Sequence, residues 1–132
     1  MVKGNMGQFA GFKILVVEDD PDLREVLIDD LQFAGATVSS AENGKAALAS
    51  IQSEKFDAVL SDMRMPNGDG RFLAKELFKL SQPNKPLFFL YSGYSDMTET
   101  EAKELHITEL FSKPFDSVKL KNSIFNHLSK KK

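Results

Sequence analysis

The stretch that most constrains this chain is FDAVLSDMRMPNGDG, Phe56 to Gly70. Ala58, Val59 and Leu60 form a short apolar run of the kind that makes a buried strand rather than an amphipathic helix. Asp62 stands where that run gives out. Met65-Pro66 then stops the strand, because proline brings no backbone N–H and pushes its predecessor towards extended geometry. Gly68 and Gly70 allow a tight loop into a following helix. In an open α/β sheet, ligands sit outside the carboxyl ends of the strands, which makes Asp62 a candidate for chemistry. Taken alone, it is equally well read as a helix cap.

Three other strand ends shift that balance. Ile14 to Val17 runs into Glu18-Asp19-Asp20-Pro21, Leu87 to Tyr91 into Ser92-Gly93, and Leu110 to Ser112 into Lys113-Pro114. Each has a plain structural explanation by itself: a capping cluster, a turn, a surface lysine. Together they are less easily dismissed. Parallel neighbours lie roughly 4.8 Å apart, so acids, a hydroxyl and a lysine at successive strand ends converge on one patch. Like charges brought together are destabilising unless a cation joins them. The pattern therefore asks for a metal ion.

The strands alternate with helices along the whole chain. Lys13–Val17, Ala36–Ala41, Phe56–Ser61, Leu87–Tyr91 and Glu109–Ser112 read as strands. Amphipathic spacing places helices from Pro21 to about Gly35, from Asn43-Gly44 through Ile51, over Phe72–Leu80, Met97–Leu105 and Val118–Leu128. Gln82-Pro83-Asn84 closes the third of these. Five strand–helix alternations mean an α/β fold with a parallel sheet and right-handed crossovers.

Glu18-Asp19, Asp62 within SDMRMPNGDG, Ser92-Gly93 and Lys113-Pro114, in this order and spacing, make the chain resemble the receiver domain of two-component response regulators, from about Lys13 to Leu128. The resemblance implies a doubly wound, flavodoxin-like sheet of order 2-1-3-4-5 with helices on both faces. It implies a phosphoacceptor signalling module rather than an enzyme, phosphorylated on Asp62 by a histidine kinase or a histidine phosphotransfer protein. Mg²⁺ takes a few carboxylate oxygens and completes its octahedron with water and phosphate oxygens, which suits Asp19, Asp62 and a backbone carbonyl just after Asp62. By resemblance that carbonyl is Arg64's, and Glu18 acts through a water. Lys113 neutralises charge, Ser92 hydrogen-bonds a phosphoryl oxygen, and backbone N–H groups near Met63 and Gly93 can do the same. The Lys113-Pro114 bond is implied to be cis. Arg64 and Tyr94, each two residues beyond Asp62 or Ser92, should overhang the approach of a hydrolytic water.

One position departs from the family. Receivers commonly carry Tyr or Phe three residues before the site lysine, paired in switching with the Ser or Thr at the end of the fourth strand. Here that position is Leu110, and His106-Ile107 replaces the more usual Gly-Ala. A muted response of the distal face to phosphorylation is expected unless Tyr91 or Phe111 supplies the missing ring.

Other readings fit less well. An aspartate-nucleophile phosphatase of the haloacid dehalogenase type would place a second acid where Arg64 stands. A flavin-binding flavodoxin would want a phosphate loop where this chain presents three acids. The 132 residues suit one domain, and the net charge of −2 argues against a general nucleic-acid surface. No stretch is apolar enough to span a membrane, and the lack of cysteine suits, without proving, a cytoplasmic location. Residues 1–11, with three glycines and Met6 as an alternative start, read as a flexible leader, 12–129 as the domain, and 130–132 as a basic tail. These residues leave no room for an output domain. Signalling would thus pass through an unidentified downstream protein, as a relay intermediate, or as the receiver piece of a hybrid kinase. His106 and His127 have no metal-ligand spacing and read as surface residues.

Overall fold

A computed structural model describes residues 7–80, 85–93, 97–114 and 116–131. Ten elements alternate: β1 (Lys13–Val17), α1 (Pro21–Phe33), β2 (Thr37–Ala41), α2 (Gly44–Ser53), β3 (Ala58–Asp62), α3 (Gly70–Lys79), β4 (Leu87–Ser92), α4 (Glu99–Glu104), β5 (Glu109–Ser112) and α5 (Ser117–Lys131). The five strands form one parallel sheet in the order β2-β1-β3-β4-β5. This is the doubly wound arrangement the resemblance implies. The Gln82-Pro83-Asn84 turn lies outside the described residues.

Successive strand side chains face opposite sides of the sheet, and the two cores follow that rule. Leu15, Val17, Val59, Phe88 and Leu90 pack with Ala47, Ile51, Leu73, Leu77 and Ala102 from α2, α3 and α4. Ile14, Val16, Leu60, Phe89 and Tyr91 pack with Leu27, Leu31, Leu120, Ile124 and Leu128 from α1 and α5. β3 is buried along its whole length, as expected of a central strand covered on both faces.

Polar side chains set where the helices begin. Asp20, Asn43, Asp69 and Thr98 each accept a hydrogen bond from a backbone N–H of the first turn that follows, satisfying donors with no partner inside the helix. α4 is shorter than its apolar spacing suggests, because Thr98 fixes its start and Leu105 closes it. No helix of the described residues is long and apolar enough to cross a membrane.

The expected leader is corrected from Gly7 onward. Phe9 is completely buried. Its ring meets Phe125 edge-on at 6.0 Å, and its N–H donates to the Ala34 carbonyl at 2.8 Å. Gly35, at φ +104°, lies so close that a Cβ there would sit 2.8 Å from the Gly7 Cα. The glycines thus let a turn fold against the end of α1 and drive one aromatic ring into the α1/α5 core. α5 runs past the expected helix end at Leu128, through Lys130 to Lys131. His127 is half-buried rather than a plain surface residue, with its Nε2 3.1 Å from Glu109 Oε1.

Candidate functional site at the carboxyl ends of the strands

Asp62 is the last residue of β3 and lies across from Tyr91 in β4. Immediately after it the chain must turn sharply, and Gly70 returns to donate its N–H to the Met63 carbonyl at 2.8 Å. A Cβ on Gly70 would stand 2.4 Å from Leu90 Cδ1, 2.9 Å from the Asp62 carbonyl oxygen and 3.0 Å from Met63 Cα. The start of α3 is therefore seated directly on the backbone that holds Asp62.

Asp62 is 5% exposed. Its Oδ1 accepts from the Met63 N–H at 2.7 Å, so one of the expected backbone donors is beside the carboxylate. Lys113 Nζ lies 3.1 Å from Oδ1 and 3.2 Å from Oδ2. The Lys113 N–H also donates to the Ser92 carbonyl at 2.9 Å, and the Lys113-Pro114 bond is cis. Ser92 ends β4, nearly buried, with its Oγ donating to the Gly93 carbonyl at 3.3 Å.

Glu18 and Asp19 follow β1, and ligand oxygens of Glu18, Asp19 and Asp62 all lie within 4.8 Å of one another. Asp19 is exposed, whereas Glu18 is 1% exposed. Burial pushes the Glu18 carboxyl above its usual range, and the Asp62 charge adds to the rise. Hydrogen bonds from Tyr91 and the Asp20 N–H, together with the Lys113 charge, oppose it. Three carboxylates converge here, one of them held by Lys113, a hard-oxygen donor set that suits Mg²⁺. Arg64, two residues beyond Asp62, is exposed on the loop. Tyr94 lies outside the described residues.

Leu110 pairs with Leu90 and packs on the side of α2, α3 and α4. Tyr91 and Phe111 belong to the opposite face. The sheet backbone thus separates both rings from Leu110.

Two participants were not found from sequence. Tyr91, fully buried, donates its Oη–H to Glu18 Oε1 at 2.6 Å, and burial beside these acids pushes its own ionisation far above the ordinary phenol range. Arg24, one turn into α1, donates from Nη1 to the Glu18 carbonyl at 2.7 Å. Tyr91 stands at the end of an apolar run, which by itself marks only a buried strand. The available signal was its phenol, which needs a polar partner when buried.

The pattern of the response regulator receiver domain matches residues 14–125. The DNA-binding transcriptional regulator NtrC of Salmonella typhimurium is 36% identical over 104 residues, which is 78% of this chain and 22% of that protein. Sporulation initiation phosphotransferase F of Bacillus subtilis is 31% identical over 116 residues, 88% of this chain and 93% of that protein. The chemotaxis response regulator CheY4 of Vibrio cholerae superposes with a TM-score of 0.78 at 28% identity, covering 91% of this chain and 98% of that one. Against NtrC and two further curated relatives, the chain spans a quarter of their length or less, 22%, 6% and 25%.

Proposed function

The chain belongs to the response regulator receiver domain family, and from that premise we propose that Asp62 is its phosphoacceptor. The observation that carries this reading is a nearly buried carboxylate at the end of the central strand, held by Lys113 and grouped with Glu18 and Asp19. An Asp62 oxygen attacks the phosphorus of a phosphohistidine on a histidine kinase or histidine phosphotransfer protein. The new O–P bond forms as the P–N bond breaks, and the imidazole leaves with the electron pair.

Such a transition state is loose and spreads charge over the phosphoryl oxygens, so the protein contributes position and charge rather than covalent chemistry. Lys113 brings one positive charge to the attacking carboxylate, and the Ser92 hydroxyl supplies a donor once it leaves the Gly93 carbonyl. Asp19 and Asp62, with Glu18 and, by the family resemblance, the Arg64 carbonyl, would hold Mg²⁺. When bound, Mg²⁺ supplies the second cation against the phosphoryl oxygens. This is the work of a phosphoacceptor that signals through changed protein contacts, not of a turnover enzyme.

A relay role is the second reading. The similarity along nearly the full length of a sporulation phosphotransferase favours it, and the match to part of a histidine kinase from Schizosaccharomyces pombe fits a hybrid-kinase receiver. The test is incubation with acetyl phosphate and Mg²⁺ followed by intact-mass measurement. One Mg²⁺-dependent phosphoryl adduct is expected on the unaltered chain and none on Asp62→Asn. An undiminished adduct on Asp62→Asn refutes the assignment.

A further inference from the structure

We propose that Tyr91 is a positioning residue for the metal site, holding the Glu18 carboxylate in place from the α1/α5 core through its Oη–Oε1 hydrogen bond. This rests on the Mg²⁺ reading of the acidic cluster and assigns that site a support outside the usual acids, lysine and hydroxyl.

The geometry begins with the two Glu18 oxygens. Oε1 accepts from Tyr91 Oη at 2.6 Å and Oε2 from the Asp20 N–H at 3.0 Å. Both donors come from separate elements, β4 and the start of α1, so they clamp the carboxylate across the sheet. Tyr91 is fully buried among α1/α5 core residues such as Phe9, Leu120 and Ile124, which fixes its ring. A hydroxyl on a fixed ring defines one carboxylate orientation, and the Glu18 carboxylate so held has an oxygen within 4.8 Å of ligand oxygens of Asp19 and Asp62. The same ring lies under Lys113, whose Nζ is 5.4 Å from its centroid. One side chain thus bonds Glu18 and lies beneath Lys113. Phenylalanine would fill nearly the same core volume and lose the hold on Glu18.

Outer partners that orient metal-binding groups commonly cost about 10–100-fold in metal affinity when removed. Mg²⁺ affinity should be measured by amide NMR titration on the unaltered protein, Tyr91→Phe, Glu18→Gln and the double variant. Tyr91→Phe should weaken Mg²⁺ binding about tenfold. In the Glu18→Gln background the same change should have less than about a twofold effect, because the group it positions is already altered. Equal affinity for Tyr91→Phe and the unaltered protein overturns the inference while leaving the metal site standing. So does an undiminished loss in the Glu18→Gln background. An unaltered protein that binds no Mg²⁺ overturns both the inference and the metal reading. Should Tyr91→Phe fail to fold, ¹⁹F NMR of the chain carrying 3-fluorotyrosine decides. A Tyr91 resonance that moves in step with the Mg²⁺ titration supports the inference, and an unmoved one overturns it.

Discussion

Replacing Gly70 by alanine should damage both the fold and the phosphorylation site. The added Cβ would meet Leu90 Cδ1 at 2.4 Å, the Asp62 carbonyl oxygen at 2.9 Å and Met63 Cα at 3.0 Å. The leucine methyl is buried and has little space to retreat, and the other two atoms are backbone. Relief therefore means pushing α3 away from the end of β3. Overpacking of this sort costs about 1–3 kcal/mol, and backbone neighbours put it near the top of that range. Alanine recovers up to about 1 kcal/mol through its better helix propensity, leaving a net loss of about 2 kcal/mol. For a domain of this size that is roughly 8 °C in Tm. Because the displaced atoms carry Asp62 itself, phosphorylation by acetyl phosphate should slow by about tenfold or more, as small misplacements of reacting groups do. Urea unfolding and the initial rate of adduct formation measure the two effects. A Gly70→Ala protein as stable as the original and phosphorylated at the same rate would refute the claim that close seating of α3 positions Asp62.

Phe9→Ala should cost about 3 kcal/mol or more by denaturant unfolding, since the ring is fully buried against Phe125; a loss under about 1 kcal/mol would return residues 7–11 to the status of a leader. Arg71 grips Glu101 with two hydrogen bonds of 2.6 and 2.9 Å, holding that carboxyl below its ordinary value of 4.5. A depressed acid stabilises the fold above its unfolded pKa and loses that contribution as pH falls through the folded one. Glu101→Gln should thus be less stable than the original by about 0.5 kcal/mol at neutral pH, a surface-pair magnitude, with the gap closing as pH drops below 4.5. A gap that persists in acid assigns the loss to something other than the ion pair. With beryllofluoride and Mg²⁺, amide shifts should be large around Asp62 and Ser92 and small from Met97 to Phe125, because Leu110 lacks a ring and Tyr91 and Phe111 lie across the sheet; equal shifts in both regions would show that this face responds without the aromatic.

Strand periodicity and strand-end chemistry were enough to read the alternating strands, because most of the apolar runs end in residues unsuited to a buried strand, whereas the order of the sheet came from the family resemblance. Asp62, Glu18, Asp19, Ser92 and Lys113 were legible for the same reason: polar groups at successive carboxyl ends of parallel strands meet whatever the helices do. What was not legible depends on reach across layers. Phe9 sits among glycines, a composition that suits a loose end as well as a tight turn, and only its contact with Phe125, far along the chain, separates the two. Tyr91 has the face its alternation with Phe89 dictates, yet its hydroxyl extends past the strand end to Glu18, a distance no local pattern encodes. The fate of Leu110 likewise needed the register with Leu90, which shows the possible substitute rings to be on the wrong face.

The central claim, that Asp62 is where this chain takes up a phosphoryl group, is tested most directly by trapping the acyl phosphate. The protein is phosphorylated with acetyl phosphate and Mg²⁺, reduced with borohydride, and mapped by tandem mass spectrometry. Borohydride converts an aspartyl phosphate to homoserine, and the account predicts homoserine at position 62 alone, absent when Mg²⁺ is chelated beforehand. Homoserine at position 19, or a Mg²⁺-independent product at position 62, would contradict it.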